Sequence, residues 1–174
     1  NAYPSPDGKR IVLEARGELF SIPAEHGYTL NLTNSPGSRE IFPVWSPDGK
    51  NIIYWSDENG EYELYIIPSD SSASPQKLTS LGSVFRYRPS WSPDSRKIAS
   101  IDHKQGISVY DLATKKIIRV DKCPWMFHYS LVSFQMNWSS DNNWLAYEKE
   151  TANHNTAIFL YNLKENIIHQ VTSG

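Results

Sequence analysis

The chain of 174 residues holds a single cysteine, Cys123, so no internal disulfide framework supports it, and one thiol is compatible with a reducing or an oxidising compartment. Apolar runs stop at about five residues, far short of the roughly 20 that a membrane-spanning helix requires. Basic residues are not in excess: 17 Lys and Arg stand against 19 Asp and Glu, spread along the chain with a net charge of −2. No basic stripe can therefore hold a phosphate backbone, and neither nucleic acid nor a membrane is expected as a partner. There is no Gly-x-Ser-x-Gly elbow, no Gly-x-x-x-x-Gly-Lys loop and no Cys-x-x-Cys pair, which excludes the hydrolase, nucleotide and metal sites that depend on them. The five histidines, His26, His103, His128, His154 and His169, are scattered without ligand spacing, so no metal and no cofactor is expected. The opening Asn1-Ala2-Tyr3-Pro4 lacks a start Met, a basic n-region and an apolar h-region, and reads as the cut edge of a longer or processed chain.

What the chain does have is aromatic residues, 13% of the total with 6 Trp and 10 Tyr, within a 39% hydrophobic composition that suits a β-rich globular protein. It also has a repeat. Ser5-Pro6-Asp7-Gly8-Lys9 recurs as Ser46-Pro47-Asp48-Gly49-Lys50, as Ser92-Pro93-Asp94-Ser95-Arg96 and, in worn form, as Ser139-Ser140-Asp141-Asn142-Asn143. The serines lie 41, 46 and 47 residues apart, around the period of one four-stranded propeller blade. Trp45, Trp91 and Trp138 precede three of the copies, and an apolar segment follows each one, so the motif is a turn between two strands. Pro presets φ for a type I turn, Asp is a common turn former, and Gly takes the left-handed conformation that closes the hairpin. Asp7, Asp48, Asp94 and Asp141 are thus structural residues first. Asn142 tolerates the left-handed position, whereas Ser95 predicts strain or a changed turn.

Two further strands follow in each unit, and several runs are apolar on both sides of the pleat, as a sheet stacked between sheets requires. The expected class is all-β: a β-propeller segment of about four four-stranded antiparallel blades. The chain reads as a single propeller region over residues 1–174, with blades at approximately 1–36, 37–82, 83–122 and 123–174.

The recurring Trp-Ser-Pro-Asp-Gly-Lys followed by Ile-Ile-Tyr-Trp, with Trp55-Ser56-Asp57-Glu58-Asn59-Gly60-Glu61-Tyr62-Glu63-Leu64-Tyr65 and Arg88-Pro89-Ser90-Trp91-Ser92-Pro93-Asp94-Ser95 behind it, resembles the WD-like Pro-Asp repeats of TolB and the tricorn protease family. Tricorn-like peptidases are the closer match, through their larger, seven-bladed propeller. The resemblance implies a non-catalytic portion of a tricorn-like serine peptidase that guides or gates peptides and makes domain or subunit contacts, in a cytoplasmic setting, with a periplasmic one left open. No catalytic residue is carried over, because the family's catalytic region maps onto none of these residues. The alternatives are a TolB-like protein-interaction propeller attached to no enzyme and, less favoured, the propeller of a prolyl-oligopeptidase-type hydrolase.

If the first strand of each blade is innermost, Arg39, Glu40, Arg86 and Arg88 lead into the wall or mouth of a central channel, where charge could hold a peptide terminus. Salt bridges between blades are the plainer role for the same four. The insertion from Lys122 to Met136 is too aromatic for an ordinary linker, and Trp125, Phe127 and Tyr129 are its candidates for a partner contact, packing under a neighbouring blade being the alternative. The acidic Asp57 to Glu61 stretch has hairpin composition rather than alternating calcium ligands. Partners are expected to be peptides or a catalytic region of the parent chain, with self-association through open blade faces.

Overall fold

A computed structural model describes residues 2–123 and 131–173. Among these residues sixteen strands form four antiparallel sheets of four, each a meander in which sequence neighbours pair. The first sheet is β1 (Ala2–Pro4), β2 (Arg10–Ala15), β3 (Glu18–Pro23) and β4 (Leu30–Asn31). The second is β5 (Glu40–Trp45), β6 (Asn51–Ser56), β7 (Glu63–Pro68) and β8 (Gln76–Lys77). The third is β9 (Ser90–Trp91), β10 (Lys97–Ile101), β11 (Gly106–Asp111) and β12 (Lys116–Lys122), and the fourth is β13 (Met136–Trp138), β14 (Trp144–Glu150), β15 (Thr156–Asn162) and β16 (Ile167–Gln170). This is the all-β architecture of four four-stranded blades that the repeat implies. The chain divides into two compact units, Asn1–Pro89 with the first two sheets and Ser90–Gly174 with the last two.

Each Ser-x-Asp turn of the repeat joins the first two strands of its sheet and is locked by the same bonds. The serine hydroxyl donates to the aspartate at 2.7 Å (Ser5 to Asp7), 2.6 Å (Ser46 to Asp48), 2.6 Å (Ser92 to Asp94) and 2.5 Å (Ser139 to Asp141). The same oxygen accepts the amide five residues on, from Arg10, Asn51, Lys97 and Trp144. The aspartate accepts the amide two residues on, from Lys9, Lys50, Arg96 and Asn143. Gly8 and Gly49 take φ of 70° and 71°, and Ser95 and Asn142 follow at 59° and 61°. Ser95 therefore keeps the turn of its glycine counterparts: side-chain bonds on either side of position 95 set the backbone there, against the steric preference of serine.

In the first unit the core joins its two sheets. Val12, Leu19 and Leu32 pack with Trp45, Ile52, Tyr54, Tyr65 and Ile67. Leu19 is fully buried, so its truncation to alanine costs roughly 2–5 kcal/mol in transfer and cavity energy. The Trp45 indole N–H donates to the Tyr3 carbonyl at 3.1 Å, tying β5 to β1. In β6 every residue from Ile52 to Ser56 is buried, so both faces of that strand are covered.

In the second unit Asp121 of β12 accepts the Tyr147 hydroxyl at 2.7 Å and the Lys149 ammonium at 2.9 Å, both from β14, and Lys149 stands 5.1 Å from the Phe159 ring centroid. The adjacent Cys123 is fully buried, and burial, helped by the Asp121 charge, pushes its thiol up to about 12. β14 and β15 bury Leu145, Tyr147, Ala157, Phe159 and Tyr161 on one face. The other face leaves Ile158 exposed, together with Ile167 and Val171 of the following strand and its continuation.

Candidate functional site

Pro43 interrupts β5, the first strand of the second sheet. Lacking an N–H, it cannot complete a ladder, and the strand answers with a bulge: Trp45 and Val44 pair with Ile52 and Ile53, but Ile41 and Glu40 pair with Trp55 and Ser56. One extra residue is absorbed, with Phe42 held at φ of 54°, a left-handed conformation costly for an aromatic side chain. Without the bulge Ile41 would oppose Ser56, since a one-residue slip exchanges the faces of a strand. The bulge is what places Glu40 opposite Ser56.

Glu40 is 1% exposed, and its carboxylate accepts three hydroxyls: Ser38 at 2.7 Å and Ser56 at 3.0 Å on Oε1, and Ser35 at 2.9 Å on Oε2. No cation partners it among the described residues. These groups line a cleft of about 540 Å³ that also takes in Tyr54 and Glu58. Burial drives the Tyr54 hydroxyl pKa well above its ordinary value, with the Glu40, Tyr65 and Glu58 charges adding to the rise, so the phenol is neutral at any physiological pH.

Arg86, 4% exposed, is spent on the backbone. Its Nη1 donates to the carbonyls of Tyr62 and Val84, each at 2.7 Å, and of Gly82 at 3.2 Å, while the guanidinium lies 5.6 Å from the Trp55 ring centroid. Next to it Phe85 is half-exposed and meets Phe42, Tyr62 and Tyr87 edge-on, at centroid distances of 6.4, 5.7 and 5.3 Å. Arg88 is exposed and lies over the Tyr3 ring at 4.8 Å. Arg39 is exposed as well, its amide donating to the Asp57 carboxylate at 2.7 Å. Asp57 also caps its own turn through Gly60, as the hairpin composition of 57–61 implies.

The four sequence candidates thus separate into an exposed pair, Arg39 and Arg88, and a buried pair, Glu40 and Arg86. What holds the buried pair is hydroxyls for Glu40 and main-chain carbonyls for Arg86. Trp125, Phe127 and Tyr129 lie outside the described residues. Sequence reasoning missed Tyr54, Ser35, Ser38 and Ser56, and the one signal that could have found them was Pro43, which within a strand marks an edge or a bulge. Among the described residues no group of three or more His, Cys, Asp or Glu could hold a metal ion, and no helix is long and apolar enough to cross a membrane.

A Tricorn-like protease C-terminal subunit of Sulfurisphaera tokodaii is 27% identical over 139 residues, 80% of this chain and 15% of that protein. In architecture the chain is similar to the crystal structure of the tricorn protease, with a TM-score of 0.79 at 18% identity over 99% of this chain and 16% of that one. It is similar also to TolB from Acinetobacter baumannii, with a TM-score of 0.70 at 20% identity over 99% of this chain and 42% of that one. The chain spans less than half the length of each of these proteins. The family described as the Tricorn protease second beta propeller domain matches residues 1–174. With four meander blades that each carry the same Ser-x-Asp turn lock, and with the family matched over residues 1–174, the chain belongs to the tricorn protease second β-propeller domain family.

Proposed function

We propose that this chain is the non-catalytic propeller portion of a tricorn-like serine peptidase, guiding or gating peptide access and contacting the catalytic region or other subunits. The observation that carries the reading is the family match over every residue, in a sequence that contains no nucleophile elbow of its own. In this role Arg39 and Arg88 are the charges offered to a peptide, since both residues are exposed where the chain enters β5 and β9. A peptide carboxylate would meet them by charge-assisted hydrogen bonds.

The test is the intact mass of the protein isolated from its source after treatment with a serine-directed fluorophosphonate. A mass well above that of 174 residues, raised by one adduct, is expected. A short, unlabelled protein would instead favour a TolB-like interaction propeller, the reading to which the likeness to TolB gives support. In the labelled case, replacing Arg39 and Arg88 together by alanine should raise KM for peptides roughly three- to tenfold with kcat unchanged, as loss of binding common to ground and transition states does. An unchanged KM would remove these two residues from the path of the substrate.

A further inference from the structure

Two features of the cleft around Glu40 are unexplained by folding. The first is charge without countercharge: a carboxylate that is 1% exposed carries hydroxyl donors but no cation among the described residues, an arrangement that costs free energy unless something compensates it. The second is independent of it. Tyr54 is 2% exposed, stacks on Tyr65 at 5.8 Å and lines the cleft, yet its hydroxyl makes no hydrogen bond among the described residues. Among the described residues Trp138 Nε1 is the only side-chain polar atom that is fully enclosed without a partner, so the Tyr54 oxygen is not fully enclosed. The small exposed area of Tyr54 therefore includes its oxygen, which opens on the cleft. A buried phenol normally finds a partner, and one that faces a cavity instead is available to a ligand.

The donor count narrows the ligand. A carboxylate has about four acceptor sites, and three hydroxyls occupy three of them, two on Oε1 and one on Oε2. One acceptor site remains on Oε2, with the Tyr54 oxygen beside the same cleft. A guanidinium is best held by two parallel acceptors on one carboxylate, and a single remaining site on Oε2 serves it poorly. A calcium ion needs six to eight oxygen ligands, and no cluster of three carboxylate or imidazole side chains is present among the described residues. A primary ammonium is a compact charge with three donors that need not lie in one plane, and it can use one carboxylate site, one phenol oxygen and the exposed Glu58 or water for the third.

We propose that this cleft binds a primary ammonium group, seated between Glu40 Oε2 and the Tyr54 hydroxyl. The candidate source is the amino terminus of a peptide. The inference deepens the peptide-guiding role proposed above, but its test reads binding and needs no attached peptidase, so either can fail without the other.

The experiment is a calorimetric titration of the intact protein with three probes: trialanine amide, N-acetyl-trialanine amide and N-acetyl-lysine amide. Trialanine amide should bind, and its acetylated form should bind at least tenfold more weakly. Binding of the lysine probe as well would support the ammonium site and extend it to side-chain amines. Binding of the lysine probe alone would support the site and assign it to side chains rather than termini. Equal binding of the two trialanine probes, or no binding of any probe, would overturn the proposal. Glu40→Gln keeps the acceptor oxygen and loses the charge, and should weaken binding at least tenfold. Should that variant not fold, Tyr54→Phe removes only the unpartnered hydroxyl, preserves the stack on Tyr65 and should weaken binding roughly three- to tenfold; unchanged affinity in Tyr54→Phe would overturn the proposal.

Discussion

At the scale of single residues, two tryptophans that share a place in the repeat differ in one hydrogen bond. The Trp45 indole donates to the Tyr3 carbonyl, whereas Trp138 Nε1 is buried with no acceptor among the described residues. Changing either to Phe removes a similar volume, but only Trp45→Phe loses a made bond, so it should cost about 1 kcal/mol more than Trp138→Phe in denaturant melts. Equal costs would mean that the Trp45 bond contributes nothing net. Ser46, fully buried, serves two partners through one oxygen, and Ser46→Ala should destabilise by about 1–3 kcal/mol because it unlocks Asp48 and the Asn51 amide together. Hydrogen bonds from Ser139 and Asn143 hold the Asp141 carboxyl at about 2, below its ordinary 3.8. Since the folded value lies below the unfolded one, ionised Asp141 favours the folded chain: this contribution is complete above pH 3.8 and is lost as the pH falls through about 2. The stability gap between wild type and Asp141→Asn should therefore narrow as the pH is lowered across that window, and a gap independent of pH would count against the linkage.

At the scale of elements, Arg86 fastens the 82–84 segment to the start of β7 by gripping three carbonyls with one planar group. Lysine has no fork and cannot reach all of them, so Arg86→Lys should lose about 1.5–3 kcal/mol, against less than about 1 kcal/mol for Arg88→Lys, whose exposed guanidinium only overlies Tyr3. Thermal melts of the two variants separate these cases, and equal shifts would refute the structural role of Arg86. The meander itself was legible in the sequence because turn chemistry and strand periodicity are local: Pro, Asp and Gly marked the hairpins, and the apolar segments after them became β2, β6, β10 and β14. Of the two outcomes open at Ser95, strain or a changed turn, the first is found: its backbone keeps the left-handed φ of 59°, held there by the Ser92 to Asp94 bond and the Lys97 amide. The surroundings of Glu40 and Arg86 were illegible. Charge suggests exposure, and nothing in the period reveals that a bulge at Phe42 and Pro43 turns Glu40 toward Ser56, or that a buried guanidinium can be satisfied by carbonyls 2 to 24 residues away in sequence.

At the scale of the molecule, the sheets are not covered alike. The second sheet is buried on both faces at β6, whereas the fourth presents one face on which Ile158 and Val171 lie side by side, Val171 donating its amide to the Ile158 carbonyl at 2.8 Å, with Ile167 further along. These three side chains are 42%, 56% and 48% exposed, and β16 beyond them is exposed at all four of its residues, so an apolar face adjoins an unpaired strand edge. Surfaces of that kind attract another sheet, from elsewhere in a native protein or from a second copy. The 174-residue chain by itself should consequently self-associate, its sedimentation coefficient rising with concentration, and Ile158→Lys with Val171→Lys should weaken that association at least tenfold, because two charges would have to be desolvated in the contact. The circular dichroism of the variant should stay that of the parent, both positions being outside the buried face of β14 and β15. A parent chain that sediments as a monomer at every concentration would show that this face needs no cover, and an association indifferent to the two lysines would place the contact on another surface.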